Sequence, residues 1–242
     1  MNYYFLLEDE QSFFKVLPEW LKHMNFKCER VVDILAVKQN NYVLQSGQGV
    51  TQLITQVLYQ TIDTLLDNPG KIDKLVVVVD AEAKTIAERK QEVFDKIQEK
   101  CIKENLELQD LGFEIVVLVT NRCFETWLLG CENIYPKEEV NKESFFYEYY
   151  KHYNIEENDP ENMLSPIEFE KSIAKYHFYY LHELFRYKKI RYNKSKPKHV
   201  QSQEYFNGIC NRADKTEHIP TFKTFVDFIL SENALADVTN TN

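Results

Sequence analysis

The segment Lys74-Leu-Val-Val-Val-Val-Asp80-Ala-Glu82-Ala83 decides the fold. Its five apolar residues, four of them valines, run without the alternation of polar residues that marks a strand with one solvated face. Such a run is typical of a strand that is covered on both faces, as in a parallel sheet between helices. Side chains alternate along a strand, so we expect Asp80 and Glu82 on the same side at its carboxyl end, where open α/β sheets bind ligands.

Two carboxylates so close together repel each other unless a cation lies between them. Mg2+ is bound in proteins by one or two carboxylates together with water and phosphate oxygens. Asp80 and Glu82 are therefore candidate metal ligands. The alternative is that both residues only end the strand and cap a helix that begins near Thr85, and these residues alone leave both interpretations open.

A second apolar run, Tyr3 to Leu7, ends on Glu8 and is followed by apolar residues at helical spacing. This pattern predicts a strand, an acidic turn and a helix, with Glu8 at the carboxyl end of the strand. Acidic residues are favoured at the N-terminus of a helix, and this preference is the structural alternative to a functional role for the acidic turn. It explains Asp9 and Glu10 better than it explains Glu8.

A third apolar run, Phe113 to Val119, predicts another buried strand. The short helical stretch behind it, Arg122-Cys-Phe-Glu-Thr-Trp-Leu-Leu-Gly130, contains one acid, Glu125, among bulky apolar residues. An unpaired buried charge is costly, so Glu125 needs a partner or a metal. A salt bridge to Arg122 is the structural alternative to a functional role.

The segment before the first long helix gives a weaker signal. Residues 31–37 and 42–44 form either one interrupted strand or a hairpin across Asn40-Asn41. Ser46-Gly-Gln-Gly49 then precedes a helical apolar pattern. A glycine-rich turn before a helix can hold phosphate, but without a third glycine or a following Lys-Ser/Thr we favour a plain helix entry.

Strands that alternate with helices predict a doubly wound α/β domain over residues 1–131. From 132 to 235 the composition becomes acidic and aromatic and then basic, which we interpret as a mainly helical C-terminal extension. Residues 236–242 are polar, and we expect a disordered tail there. A chain of 242 residues is long enough to bury a substantial core.

The formal net charge of −9 excludes a uniformly basic nucleic-acid-binding surface but not a local basic patch. Five scattered cysteines without a Cys-x-x-Cys pair argue against a disulfide scaffold and a zinc knuckle. The sequence begins without a signal-peptide pattern and has no apolar run of membrane-spanning length. We therefore expect a cytoplasmic protein with no membrane partner.

One segment stands out against the acidic chain: residues 186–198 hold seven Lys or Arg residues, interleaved with Tyr187 and Tyr192. Cations release counterions from phosphates, and tyrosines stack on unpaired bases, so the segment is predicted to bind nucleic acid. A solvated loop is the alternative. The predicted binding residues are Arg186, Lys188, Lys189, Arg191, Lys194, Lys196 and Lys198.

The three acidic motifs, Leu-Leu-Glu8-Asp-Glu-Gln-Ser, Val-Val-Asp80-Ala-Glu82-Ala and Cys-Phe-Glu125-Thr-Trp-Leu-Leu, together resemble those of the Toprim domain. This domain is shared by topoisomerases, primases and the overcoming-lysogenization-defect (OLD) nucleases. The likeness is greatest to small stand-alone Toprim proteins of bacterial defence loci, including the RloB-like ones, and covers roughly residues 3–130. Two positions depart from the family pattern: Asp9 stands where the family has glycine, and Glu82 where it has aspartate.

The resemblance implies a Toprim-like, Rossmann-like fold with a mostly parallel sheet between helices, and a metal-dependent endonuclease of antiphage defence. It implies Mg2+ or Mn2+ as cofactor, a DNA or RNA substrate, and a regulatory partner protein such as an ATPase. It also implies that Lys194 or Lys196 contacts the scissile phosphate. The implied catalytic residues are Glu8, Asp80, Glu82, Glu125 and Lys194, with the first three as metal ligands. The alternative function is a catalytically silent Toprim-like module that binds nucleic acid or a partner protein.

Overall fold

The computed structural model describes residues 1–239, which form five strands and nine α-helices. The strands are β1 (Tyr3–Leu7), β2 (Glu29–Arg30), β3 (Asn41–Ser46), β4 (Lys74–Asp80) and β5 (Glu114–Thr120). The helices are α1 (Phe13–His23), α2 (Val50–Gln52), α3 (Leu58–Leu66), α4 (Ile86–Lys103), α5 (Phe124–Leu129), α6 (Phe145–His152), α7 (Ile173–Tyr187), α8 (Gln203–Thr216) and α9 (Pro220–Thr239). A π-helical turn, Leu53–Val57, joins α2 to α3.

Within the described residues, the strands form one parallel sheet in the order β2-β3-β1-β4-β5. The two central strands, β1 and β4, are buried along almost their whole length, as their unbroken apolar sequences predict. Helices flank the sheet, and the C-terminal part of the chain is helical. The predicted fold class, an α/β fold with a Rossmann-like parallel sheet and a helical C-terminal extension, is confirmed.

Residues 42–44 lie in β3, as predicted, but residues 31–37 form no strand, so both the interrupted strand and the hairpin are wrong. The short strand β2 precedes this segment and pairs with β3 in parallel, not as in a hairpin. Residues 34–36 form a 3-10 turn because the Asp33 carboxylate accepts hydrogen bonds from the backbone N–H groups of Leu35 and Ala36. The aspartate side chain thus replaces the strand ladder with a local turn.

The chain divides into two compact units. Within the described residues, the first comprises 1–80, 86–119 and 228–239, and the second comprises 81–85 and 120–227. These limits differ from the predicted boundary at 131/132, because the polypeptide leaves the first unit at the end of β5 and returns to it within α9. The predicted disordered tail, 236–242, begins inside α9, which continues to Thr239, and residues 240–242 lie outside the described part.

The first unit contains the sheet core, where Trp20 of α1 and Phe5 of β1 are fully buried. The core of the second unit is aromatic, with Phe146 of α6 packed edge-on against Tyr180 of α7 at a ring distance of 5.6 Å. Between Met1 and Thr239, no helix combines the length and the apolar character needed to cross a membrane. No disulfide joins any of the five cysteines, all of which lie in the described part.

Candidate functional site

Glu8 and Asp80 lie at the carboxyl ends of the central strands β1 and β4. From β1 the chain continues to β2 and β3, which lie on one side of β1, whereas from β4 it continues to β5, which lies on the opposite side of β4. The connections therefore leave these two strand ends in opposite directions, which makes the place between β1 and β4 a topological switch point. Open α/β sheets bind their ligands in the crevice at such a point.

The Glu8 side chain contacts the backbone of Asp80. The Glu8 backbone N–H continues the strand ladder by donating to the Val78 carbonyl at 3.1 Å. The Asp80 backbone N–H then donates to the Oε2 atom of Glu8 at 2.8 Å. The carboxylate of one strand end is thus held against the backbone of the next.

A glycine turn fixes the other side of Glu8. The Gly49 N–H donates to the Glu8 carbonyl at 2.7 Å, and the Gly47 N–H donates to the Leu7 carbonyl at 2.6 Å. A Cβ atom at Gly47 would lie 2.6 Å from the side chain of Leu53, so only glycine fits there. Because both N–H groups bind the end of β1, the turn serves as a helix entry, as favoured from the sequence, and as a support for Glu8.

Asp9 has a separate, structural role. Its carboxylate accepts from the N–H and the hydroxyl of Ser12 at 3.0 and 2.6 Å, and from the Phe14 N–H at 3.4 Å. It therefore caps the start of α1, in line with the helix-terminus explanation of this acid.

Glu82 does not continue the alternation of β4, so the expectation that it emerges on the same side as Asp80 for that reason is wrong. The strand ends at Asp80, and Glu82 has a left-handed backbone with φ 52°. Its N–H donates to the Arg122 carbonyl at 2.9 Å, and Arg122 is itself left-handed with φ 69°. Left-handed conformations cost free energy in residues other than glycine and are enriched at functional sites.

At this strand end the structure holds the Glu8 carboxylate against the Asp80 backbone. Among residues 1–239, no three His, Cys, Asp or Glu side chains form a group suited to a metal ion. The chemistry of the pair nevertheless fits one hard cation, because Mg2+ takes as few as one or two protein carboxylates and completes its octahedral shell with water and phosphate oxygens. The role of Glu82 as a third ligand stays a prediction.

Glu125 is paired with Lys194 rather than with Arg122. The Glu125 side chain is only 4% exposed, and its Oε1 atom lies 2.7 Å from the Lys194 ammonium. The same ammonium lies over the ring of Phe178, 4.9 Å from its centre. Two residues predicted to act in catalysis are therefore together, in an ion pair that neutralises the buried carboxylate.

The two residues after Glu125 also make buried polar contacts. The Thr126 hydroxyl lies 2.9 Å from Nδ1 of His177, whose Nε2 lies 2.9 Å from the Met163 carbonyl. Since a carbonyl only accepts, Nε2 carries the proton and Nδ1 accepts from Thr126. Burial lowers the pKa of His177 to about 4, so this histidine is neutral at physiological pH.

Trp127 completes this series of contacts along α5. Its indole Nε1–H donates to the Thr221 hydroxyl at 2.8 Å, and its ring packs against Phe222 and Phe225 at the start of α9. Three successive residues of α5 thus contact the 188–202 segment, α7 and α9 in turn. The side chains of Glu125, Thr126 and Trp127 therefore connect α5 to three other parts of the second unit, in addition to any catalytic role of Glu125.

The seven predicted nucleic-acid-binding cations have different surroundings. Lys188 donates to the Tyr135 carbonyl at 3.1 Å, and Lys194 is paired with Glu125. Lys189 lines a separate pocket with Lys188. Lys198 is exposed, and the remaining three line one groove: Arg186, Arg191 and Lys196.

Glu161 and Arg212 are among the buried polar groups that the sequence prediction missed. The Glu161 carboxylate accepts two hydrogen bonds from Thr221, one from its N–H at 3.0 Å and one from its hydroxyl. Arg212 is 2% exposed and donates to the carbonyls of Ile155 and Asn158. The Asp159-Pro160 turn was the only local signal near Glu161, and nothing in the sequence around Arg212 distinguishes it from a surface arginine.

No family model, curated protein or solved structure matches this chain.

Proposed function

We propose that this chain is a metal-dependent endonuclease that cleaves phosphodiester bonds in DNA or RNA in the cytoplasm. The observation that carries the proposal is the contact between Glu8 and the Asp80 backbone at the switch point of the parallel sheet. Acidic residues at a ligand-binding crevice would repel a phosphate unless a cation were bound with them.

Glu8 and Asp80 would hold the cation. When bound, Mg2+ or Mn2+ supplies Lewis acidity toward a phosphate oxygen. The protein contributes the orientation of the ligands, because the Asp80 N–H holds the Glu8 carboxylate and the glycine turn holds the Glu8 carbonyl. A carboxylate fixed in this way loses little conformational entropy on binding a cation.

The second requirement is positive charge for the nucleic-acid backbone. The chain has a net charge of −9, so cations must be concentrated locally to attract a polyanion. Residues 186–198 meet this requirement, and Arg186 and Lys196 of that segment are exposed. The Arg186 side chain is 65% exposed and its Nη1 atom lies 3.8 Å from the Glu183 carboxylate, so a phosphate would compete only with a weak surface ion pair.

The test is cleavage of labelled single- and double-stranded DNA and RNA with Mg2+ or Mn2+. We expect Asp80→Asn and Glu8→Gln to lower the rate at least about 100-fold, the effect of losing a few kcal/mol of transition-state stabilisation. Glu10→Gln is the matched control, because Glu10 is an exposed acid of the same turn. A rate unchanged in Asp80→Asn, or equal losses in all three variants, contradicts the proposal.

A catalytically silent module that binds nucleic acid or a partner protein is the second candidate. It is favoured by the Glu125–Lys194 ion pair, which occupies two of the predicted catalytic residues. This function predicts binding that survives Asp80→Asn and no cleavage by the unaltered chain with either metal. The same set of assays therefore separates the two functions.

A further inference from the structure

A groove of about 420 Å3 lies in the second unit, where α7 ends and the 188–202 segment begins. Its lining includes His182, Arg186, Arg191, Tyr192, Asn193 and Lys196. No Asp or Glu lines this groove, whose whole lining lies in the described part of the chain. The volume falls in the range of sites that take a small organic molecule, roughly 300–1,000 Å3.

The walls of the groove are held in place by backbone hydrogen bonds at the end of α7. The Ile190 N–H donates to the Phe185 carbonyl at 2.8 Å, and the Lys189 N–H donates to the Arg186 carbonyl at 3.1 Å. With Lys189 left-handed at φ 56°, these bonds form a Schellman motif. The direction in which the chain leaves α7 toward Arg191 is therefore fixed.

The far wall is fixed by a turn and an ion pair. The Asn193 side chain accepts from the N–H and the hydroxyl of Ser195, both at 2.8 Å, and the Asn193 carbonyl accepts from the Lys196 N–H at 2.9 Å. Lys194 within this turn is anchored by Glu125. The loop thus directs Lys194 toward the buried Glu125, whereas Lys196, two residues later, is exposed and lines the groove.

The lining combines two kinds of recognition. Arg186, Arg191 and Lys196 offer positive charge, and the half-buried Tyr192 ring packs against Phe185 at 5.3 Å between centres. Cations bind phosphate and an aromatic ring stacks on a nucleobase, so the set fits a nucleotide unit. A base inside a duplex is covered on both faces by its neighbours, whereas an unpaired base can present a face to the ring.

We propose that this groove holds one unpaired nucleotide of a single-stranded nucleic acid, with its phosphate at Arg191 and Lys196 and its base against Tyr192. The inference rests on the proposed function and names the substrate class of that function. Binding is tested apart from cleavage, so that failure of one can be told from failure of the other.

The test measures binding of a labelled single strand and of a hairpin duplex in EDTA over a range of salt concentrations. We expect the strand to bind more tightly. Arg191→Ala with Lys196→Ala should weaken strand binding and reduce its salt slope by roughly 0.7 for each phosphate that the variant no longer neutralises. Lys142→Ala with Lys215→Ala is the charge-matched control, because these two lysines are 71% and 64% exposed and lie outside the groove.

Tyr192 tests the stacking part of the proposal. Tyr192→Leu should lower affinity for the strand about 5- to 100-fold, whereas Tyr192→Phe keeps the ring and should restore most of the affinity. Circular dichroism of each variant establishes that it is folded. Equal loss in the Leu and Phe variants would argue against stacking and overturn this placement of the base.

Three further outcomes overturn the proposal: equal affinity for strand and duplex, an unchanged salt slope in the groove variant, and an equal slope change in the control variant. Competition by a free mononucleotide as effective as competition by the strand assigns the groove to a soluble nucleotide instead. If the strand binds as expected but nothing is cleaved with Mg2+ or Mn2+, the groove assignment stands and the nuclease function fails.

Discussion

Glu161 shows how burial changes the chemistry of a single residue. It is 2% exposed, and Asp159 nearby adds a negative charge. Burial raises the pKa of Glu161 to about 7, even though the hydrogen bonds from Thr221 act in the opposite direction. The Glu161 carboxyl, which accepts hydrogen bonds from Thr221 at the start of α9, therefore changes its charge close to neutral pH.

We predict that Glu161 makes the unfolding free energy depend on pH between about 4.5 and 7. The folded state holds the proton more tightly than the unfolded state, so stability is full below the ordinary pKa and falls as pH rises toward 7. The loss amounts to roughly 3 kcal/mol at 1.36 kcal/mol per pH unit. Glu161→Gln should remove it and should be more stable than the unaltered chain at pH 8.

Urea unfolding at pH 5, 6, 7 and 8 measures this effect. Glu157→Gln is the control, since Glu157 is an exposed acid nearby in the sequence. An identical pH slope in the unaltered chain and in Glu161→Gln would show that Glu161 does not titrate in this range.

At the scale of secondary structure, the strands that are buried on both faces were predictable from their sequences. β1 and β4 are continuous apolar runs up to their last residues, and β5 is apolar from Ile115 to Val119 although only its second half is buried. The carboxyl ends of these strands follow from the last apolar residue. Glu8 and Asp80 could therefore be assigned to one edge of the sheet. Their adjacency needed one further fact, the order of the strands, which no local pattern contains.

Other parts of the candidate site depend on contacts that are distant in sequence. The backbone of Glu82 is left-handed instead of extended, and its N–H donates to the carbonyl of Arg122, which is 40 residues away in the sequence. The partner of Glu125 is Lys194 rather than the nearby Arg122, because the fold returns the 188–202 segment to α5. The sequence showed that Glu125 needed a partner, but not which one.

We predict an asymmetry between the two residues of this ion pair. Lys194→Ala leaves a carboxylate that is 4% exposed without this partner and should cost about 3 kcal/mol of stability. Glu125→Gln should cost less, because the Lys194 side chain is 41% exposed and its ammonium can turn to water. Chemical denaturation of both variants and of the double variant Glu125→Gln, Lys194→Met measures the difference.

The double variant should recover part of the loss, since it removes both charges and keeps the volume. Trypsin cleavage within residues 188–198 should become faster in Glu125→Gln, because the segment loses its anchor. Equal destabilisation by the two single variants would mean that the carboxylate is not held by Lys194.

At the scale of the whole molecule, the beginning of the chain and the part of α9 from Phe228 onward belong to the same compact unit. The Glu232 carboxylate of α9 accepts from the Tyr3 hydroxyl at 2.7 Å and from the Lys74 ammonium at 2.8 Å. The Glu232 side chain is 4% exposed, so these contacts are shielded from water. Burial lowers the pKa of Lys74, but Glu232 and Glu114 outweigh this effect and the net shift is upward.

We predict that Glu232→Ala lowers the unfolding free energy by about 2–4 kcal/mol. The change leaves the buried Tyr3 hydroxyl without this acceptor and removes the more buried of two carboxylates that contact Lys74. Glu114→Ala is a matched control, because Glu114 lies 3.0 Å from the same ammonium but is 59% exposed. It should cost no more than about 1 kcal/mol, as exposed ion pairs do.

Glu232→Gln separates the two contacts, because an amide oxygen still accepts from the Tyr3 hydroxyl but carries no charge for Lys74. Its stability should fall between those of the unaltered chain and Glu232→Ala. Urea unfolding of the three variants, monitored by circular dichroism, decides the matter. If Glu114→Ala lowers the unfolding free energy as much as Glu232→Ala does, then the two carboxylates stabilise the fold only through their charge next to Lys74. The buried position of Glu232, which joins α9 to β1 and β4, would in that case add nothing to the stability of this unit.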